Sequence, residues 1–231
     1  MDEKKLRALQ RHDLVVISQE GKERIKSEVK TKYFGEELRI VEQVFDQTYY
    51  GCNIPAIVRR DDNQNEKCVP VGFVPPELCK ERRLRIAAFT SFDEIEDINT
   101  PYDLLQMEFS TRNQCLKALA AVVAVVKSHK IQVGVLGSAG LEIYTQCQYT
   151  NKNSDLDLVV KNAEYQEIWN LYQDLQRISN EYHVLLDAEV SLKNGYGIKA
   201  VELFMKTTTL LGKSLTDVTL LSRQDVLRNL K

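Results

Sequence analysis

Residues 137–160, GSAGLEIYTQCQYTNKNSDLDLVV, restrict the fold more than any other stretch of this chain. Their end alternates polar and apolar positions and is dense in β-branched and other large apolar residues, which marks a strand. Side chains on a strand alternate faces with period two. Asp155 and Asp157 therefore point one way, while Leu156 and Leu158 point into a core. Two carboxylates on one rigid face repel unless a cation neutralises them. Hard oxygen ligands of this kind suit Mg2+, usually shared with substrate phosphates. Ahead of this strand stands an apolar run, VGVL, followed by Gly137-Ser138. Gly137 permits close backbone approach, and a turn into a helix aims N–H groups at an anion.

Each part is weak alone, since Gly-Ser pairs are common and D-x-D often ends a solvated strand. The order is apolar strand, Gly-Ser, short helix, then a second strand carrying two acids. That order resembles the nucleotidyltransferase superfold, in which metal carboxylates sit on the strand after a Gly-Ser turn.

The rest of the chain reads as follows. Residues 1–10 form a loose or helical tail, and 13–17 a first strand. Residues 18–33, rich in Lys and Glu, suit a loop or exposed helix. Residues 41–52 show partial alternation and are expected to pair with neighbouring strands. Residues 54–60 form a strand, 61–67 a polar turn, and 68–74 a return strand that Pro70 places at an edge. The most basic run, KERRLR at 80–85, reads first as a solvated face and second as a dock for an acidic partner. Residues 91–99 read as loop or short helix. Thr100-Pro101 starts a short helix to residue 107.

Residues 110–129 are the clearest helix, apolar on nearly all sides and capped by Ser110 or Thr111. A strand at 131–136 leads to the Gly-Ser turn, a short helix at 139–146 and a polar loop at 147–153. Asn162 is expected to cap a helix over 163–181. Residues 183–192 form a strand, Lys193-Asn194-Gly195 a hairpin turn, and 197–204 the returning strand. Ser222 caps a last helix. The predicted class is α+β: a mainly β N-terminal domain over 1–99, then a nucleotidyltransferase-like mixed sheet flanked by helices over 100–231.

Composition excludes some functions. With 31 Lys+Arg against 33 Asp+Glu, the chain lacks the basic surface of a general nucleic-acid binder. The five cysteines show neither zinc nor disulfide spacing, which fits free thiols in a reducing compartment. The opening MDEKKLRALQRHD has no apolar signal core, and the longest apolar run, 118–126, is too short to span a bilayer. A cytoplasmic protein that binds neither nucleic acid nor membrane is expected.

Finer motifs extend the match. GSAGLEIYTQ, a polar loop and then SDLDL resemble the malonate decarboxylase holo-acyl-carrier-protein synthases, also called phosphoribosyl-dephospho-CoA transferases. Similar too are Arg11-His12-Asp13-Leu14, IVRR at 57–60, VPVGF at 69–73, Thr100-Pro101, DAEV at 187–190 and MKT at 205–207. The chain departs from the family pattern at Leu141-Glu142, where Trp-Gln is usual, at Gln146, where Gly is usual, and at VGFVP, where an Arg is expected.

The resemblance implies a transferase. Its donor would be triphosphoribosyl-dephospho-CoA and its acceptor a serine of the malonate decarboxylase acyl-carrier protein, with diphosphate as leaving group. Asp155 and Asp157 would hold Mg2+, and Gly137 and Ser138 the departing diphosphate. A third carboxylate on a neighbouring strand would share the metal and take the acceptor's proton. Asp187 and Glu189 share a face, and Asp187 is preferred for its shorter arm. Ser154 and Lys206 complete the expected substrate contacts, although Lys206 also reads as a surface lysine. His12 would contact the donor or, as first choice, simply cap the first strand. Alternatives are another Mg2+-dependent nucleotidyltransferase acting on RNA, a small molecule or a protein, and a non-catalytic nucleotide-binding module. An acidic carrier would need a local basic patch, either Lys80, Arg82, Arg83 and Arg85 or Arg59 and Arg60.

Overall fold

Residues 9–46, 51, 53–61 and 68–230 are described by a computed structural model. The expected N-terminal tail through residue 8, most of the polar turn at 61–67 and positions 47–50 and 52 lie outside the described residues. The chain is α+β and divides into two compact units, residues 1–100 and 101–231.

The first unit is built on an antiparallel sheet. Its strands are β1 (Leu14–Ile17), β2 (Ala56–Val58), β3 (Cys68–Phe73), β6 (Ile86–Ser91) and β7 (Ile95–Asn99), in the order β6-β3-β2-β1-β7. The β4 (Leu78–Cys79) and β5 (Arg82–Arg83) strands make a separate small hairpin. Strand β3 alternates half-buried and buried residues, with Val69, Val71 and Phe73 inside. It is not an edge strand, as Pro70 suggested, because β6 flanks it on the other side. The carbonyl of Pro70 accepts from Arg59 N at 3.0 Å, so its nitrogen faces the same side. There β2 has already ended, and the missing N–H interrupts no ladder.

Two helices accompany this sheet. Ser18 Oγ accepts from Gly21 N at 3.1 Å and caps α1 (Gln19–Val29), which buries Ile25 and Val29. Residues 41–44 are not strand but the end of α2 (Gly35–Val44), with Ile40, Val41 and Val44 buried. Their spacing of one, three and four fits a helix face, and the tertiary core selects that period over alternation. Residues 91–99 also differ from expectation. A capping box of Ser91 and Glu94 closes one 3-10 turn, and the chain continues as β7 along β1.

Glu94 is the electrostatic centre of this unit. Arg24 donates to both of its oxygens at 2.6 Å, and Thr90 Oγ1 and Ser91 N add bonds at 2.9 Å. The Arg24 guanidinium, against a smaller opposing effect of burial, holds this carboxyl down at about 2. A depressed carboxylate contributes stability above its unfolded value and loses it as pH falls through the folded one. Glu94→Gln is expected to cost about 2 kcal/mol at neutral pH, after discounting for the half-exposed Arg24. It should also flatten the acid limb between about pH 4.5 and 2, read by urea denaturation across pH. An acid limb of unchanged steepness would show that this pair does not govern it.

The second unit carries a six-stranded mixed sheet: β8 (Gln132–Val135), β9 (Leu156–Lys161), β10 (Leu186–Ser191), β11 (Gly197–Lys199), β12 (Thr209–Lys213) and β13 (Val218–Ser222), ordered β13-β12-β11-β10-β9-β8. Only the β9–β10 pair is parallel. The helices are α3 (Pro101–Leu104), α4 (Gln114–Val126), α5 (Gly137–Thr145), α6 (Tyr165–Tyr182), α7 (Ala200–Leu203) and α8 (Arg223–Arg228). Sequence placed the α4 cap too early. Asn113, not Ser110 or Thr111, accepts from Leu116 N at 3.0 Å. Helix α6 is capped by a Glu164–Glu167 box rather than by Asn162, which turns the chain at φ +55°. It packs on α7 through Trp169 and Tyr172 against Phe204, with ring centroids 4.7 and 4.9 Å apart. The strand expected over 197–204 stops at Lys199, where α7 begins, and the β12–β13 hairpin was not foreseen.

Candidate active site

Strand β9 sets the site. Leu156 and Leu158 are buried, whereas Asp157 is half-buried and Asp155, one residue before the strand, is exposed. The carbonyl of Asp157 accepts from Leu136 N at 2.9 Å, which ties the strand to the residue before the Gly-Ser turn. Gly137 adopts φ +60°, a conformation that L side chains rarely hold. A Cβ there would overlap the Asp157 carboxylate. The glycine thus leaves open the space that this carboxylate occupies. No side chain caps the start of α5, and half-buried Ser138 stands in its first turn.

The parallel register of β9 and β10 brings a third acid alongside, with Asp187 opposite Asp157 and Glu189 opposite Val159. The Glu189 side chain lies over Gly197 of β11, where a Cβ would overlap its carboxylate. Asp187 Oδ2 accepts from Lys199 Nζ at 2.6 Å. The hydrogen bond and charge of Asp187 raise the Lys199 ammonium above its ordinary value, and Glu202 and Asp157 add to the effect. Among the described residues no three His, Cys, Asp or Glu side chains are gathered as a metal-holding group. Asp187 spends an oxygen on the lysine instead. Asp157 still offers a hard-oxygen donor against Gly137, with Asp155 two residues before it in the chain, and Mg2+ needs only one or two carboxylates beside substrate phosphates. The residues present fit that ion.

Behind the acids sits Cys115, 1% exposed, whose Sγ donates to Asp155 O at 3.2 Å. Burial, then the charges of Asp155, Glu142 and Asp157, push its thiol up to about 12. A thiol so held stays protonated and is no nucleophile.

The loop at 147–153 is clasped by Glu142, 8% exposed. Its Oε2 accepts from Tyr149 N at 2.9 Å, Thr150 N at 2.6 Å and Thr150 Oγ1 at 2.7 Å. Arg112 donates to its two oxygens at 2.7 and 2.9 Å. Burial pushes this carboxyl up, but Arg112 and Thr150 together hold it below its usual range. Glu142 and Gln146, both departures from the family pattern, thus have structural work. Gln146 takes the left-handed position that ends α5, at φ +60°, and its side chain donates to Ile143 O at 2.6 Å.

Other expected residues lie differently. Ser154 Oγ accepts from Asn151 N at 2.9 Å and closes the loop before Asp155. Lys206 is exposed on the bend after α7. His12, at φ +76°, donates its backbone N–H to Val58 O at 2.9 Å and shapes the entry to β1 in the first unit. Sequence reading missed Lys199, Arg112 and Cys115. The turn at 193–195 pairs Glu189 with Lys199 across the hairpin, so counting back from it would have found the lysine.

Comparison with known proteins decides the family. Residues 103–224 match the phosphoribosyl-dephospho-CoA transferase MdcG C-terminal domain, and residues 10–101 match the MdcG N-terminal domain. The chain belongs to the phosphoribosyl-dephospho-CoA transferase family. A phosphoribosyl-dephospho-CoA transferase of Pseudomonas fluorescens (strain Pf0-1) is 31% identical over 110 residues, which is 48% of this chain. The chain spans 51% of that relative's length. No solved structure matches. Within the family's C-terminal domain fall Gly137, Ser138, Asp155, Asp157, Asp187 and Lys199. No helix among the described residues is long and apolar enough to cross a membrane.

Proposed function

We propose that this chain is a Mg2+-dependent transferase of the nucleotidyltransferase type. It would move the phosphoribosyl-dephospho-CoA group from triphosphoribosyl-dephospho-CoA to a serine of the malonate decarboxylase acyl-carrier protein. The observation that carries the reading is the meeting of Gly137 with Asp157, and of Asp157 with Asp187, in a chain of this family. The acceptor oxygen bonds to the α-phosphorus, the bond from that phosphorus to the bridging oxygen breaks, and diphosphate leaves. Such transfers are mostly positioning and charge neutralisation. Asp155 and Asp157 would hold Mg2+, which supplies charge neutralisation at the phosphates. The N–H groups of the first turn of α5 and the Ser138 hydroxyl receive the diphosphate. Asp187 takes the serine proton.

An acidic carrier requires a basic face. Arg59 is committed within its own sheet, to Val71 O at 3.1 Å and Asp61 at 2.8 Å. Lys80, Arg82 and Arg85 are exposed on and after the β4–β5 hairpin and are the better dock. The test is direct. Incubating the chain with donor, Mg2+ and apo carrier protein should raise the carrier's mass by one prosthetic group, read by intact-mass spectrometry. Turnover of ATP, CTP or GTP with no gain on the carrier would replace this reading with a plain nucleotidyltransferase.

A further inference from the structure

The parallel and antiparallel registers around β10 put one cation inside a group of acids. Asp157 lies opposite Asp187 on β9 and β10, and Glu189 lies opposite Lys199 on β10 and β11. All four positions share one face of the sheet. Lys199 bridges inward, its Nζ 2.6 Å from Asp187 Oδ2. The lysine side chain is 50% exposed and the aspartate 37% exposed. Ion pairs this wet stabilise a fold by little or nothing, so the lysine is not there chiefly for stability. An ammonium has three donors, and one bond to Asp187 leaves capacity for a second anion. A triphosphate that approaches several carboxylates gains from positive charge on the same face beyond that of a divalent ion.

We propose that Lys199 is a polyphosphate-binding residue of this site, and that it competes with divalent metal for Asp187. The inference deepens the proposed transfer and rests on it for the identity of the triphosphate. In the resting site Lys199 neutralises Asp187, and the ion would lie at Asp155 and Asp157. When a triphosphate arrives, the lysine turns to it and releases Asp187 to take the acceptor's proton. The same contact holds the chain of phosphates against the first turn of α5. Lys199 thereby limits how strongly the empty site takes up metal before donor is present.

The two roles give changes of opposite sign in one variant. Inorganic tripolyphosphate with Mg2+ is the first probe, measured by calorimetry on the full chain. Mn2+ alone, measured by its spin-resonance signal, is the second. Lys199→Met should weaken tripolyphosphate binding at least about tenfold, through loss of a charge-assisted contact. It should tighten Mn2+ binding about three- to tenfold, because Asp187 is released to a site of higher negative charge. Lys199→Arg should restore most of the tripolyphosphate affinity. A lysine with a merely structural role would lower the melting temperature and weaken both probes together. That result overturns the proposal, as does wild-type protein that fails to bind tripolyphosphate with Mg2+. Opposite changes without any carrier modification would uphold Lys199 and remove the carrier as acceptor. Carrier modification with Lys199→Met unchanged in both probes would do the reverse.

Discussion

Asp157→Asn is expected to slow transfer to the carrier at least about 1,000-fold, the loss of about 4 kcal/mol of transition-state stabilisation. The substitution keeps shape and removes one negative charge. Asp157 is the acid that both the Gly-Ser turn and Asp187 face, so in the proposed transfer its charge would act on the ion and on the leaving phosphates together. Folding should not suffer. Neutralising one of several neighbouring carboxylates relieves repulsion, and the melting temperature should hold or rise. Mn2+ binding should fall with the rate. Asp155→Asn should act in the same direction, less steeply, because Asp155 is exposed and lies outside the ladder. Single-turnover rates by intact mass, calorimetric melting and the Mn2+ spin-resonance signal check these points. Transfer within tenfold of wild type for Asp157→Asn would remove the strand from the chemistry. A sharp drop in melting temperature would instead make the residue a fold element.

How far these features could be read from sequence depends on what enforces them. The β9 strand was legible because Leu156 and Leu158 must be buried, and that places Asp157 on the opposite face, whereas Asp155 falls one residue before the strand. The hairpin at 193–195 was legible from Asn-Gly, and with it the direction of β11. The α2 helix was not, since a short apolar series such as Ile40, Val41, Val44 fits both periods until a core selects one. Helix starts were misplaced where two polar residues competed for one cap. Asn113 and Glu164 prevailed because their side chains reach the first-turn N–H groups, which spacing alone does not reveal. The salt bridge from Arg112 to Glu142 joins residues far apart in sequence through tertiary contact, and no local rule announces it. Lys199 was the avoidable omission, because its cross-strand partner follows from the turn already identified.

The second large effect concerns stability. Glu142→Ala is expected to destabilise the second unit by about 3–5 kcal/mol, the range for breaking a buried, hydrogen-bonded ion pair. Three donors of the loop, Tyr149 N, Thr150 N and Thr150 Oγ1, lose their acceptor at once. Each buried donor left without a partner costs about 1–3 kcal/mol, less where water enters. Arg112→Ala should cost less, about 2 kcal/mol, because the carboxylate keeps those three loop donors. The direction with pH follows from the depressed carboxyl of Glu142. Its contribution is complete above the ordinary glutamate range and is lost as acid protonates the folded state. The penalty of Glu142→Ala should therefore shrink as pH falls. The loop held by this clasp runs directly into Ser154 and Asp155, so loosening it displaces Asp155, the first of the two carboxylates proposed to hold Mg2+. Transfer by Glu142→Ala should drop with little change in donor affinity, even at temperatures where the variant is fully folded. Urea denaturation across pH, followed by rate measurements at low temperature, separates the two effects. If Arg112→Ala proves costlier than Glu142→Ala, the arginine rather than the carboxylate is the hub of the clasp. If neither variant alters the rate while folded, the loop's grip on Asp155 has no part in the chemistry.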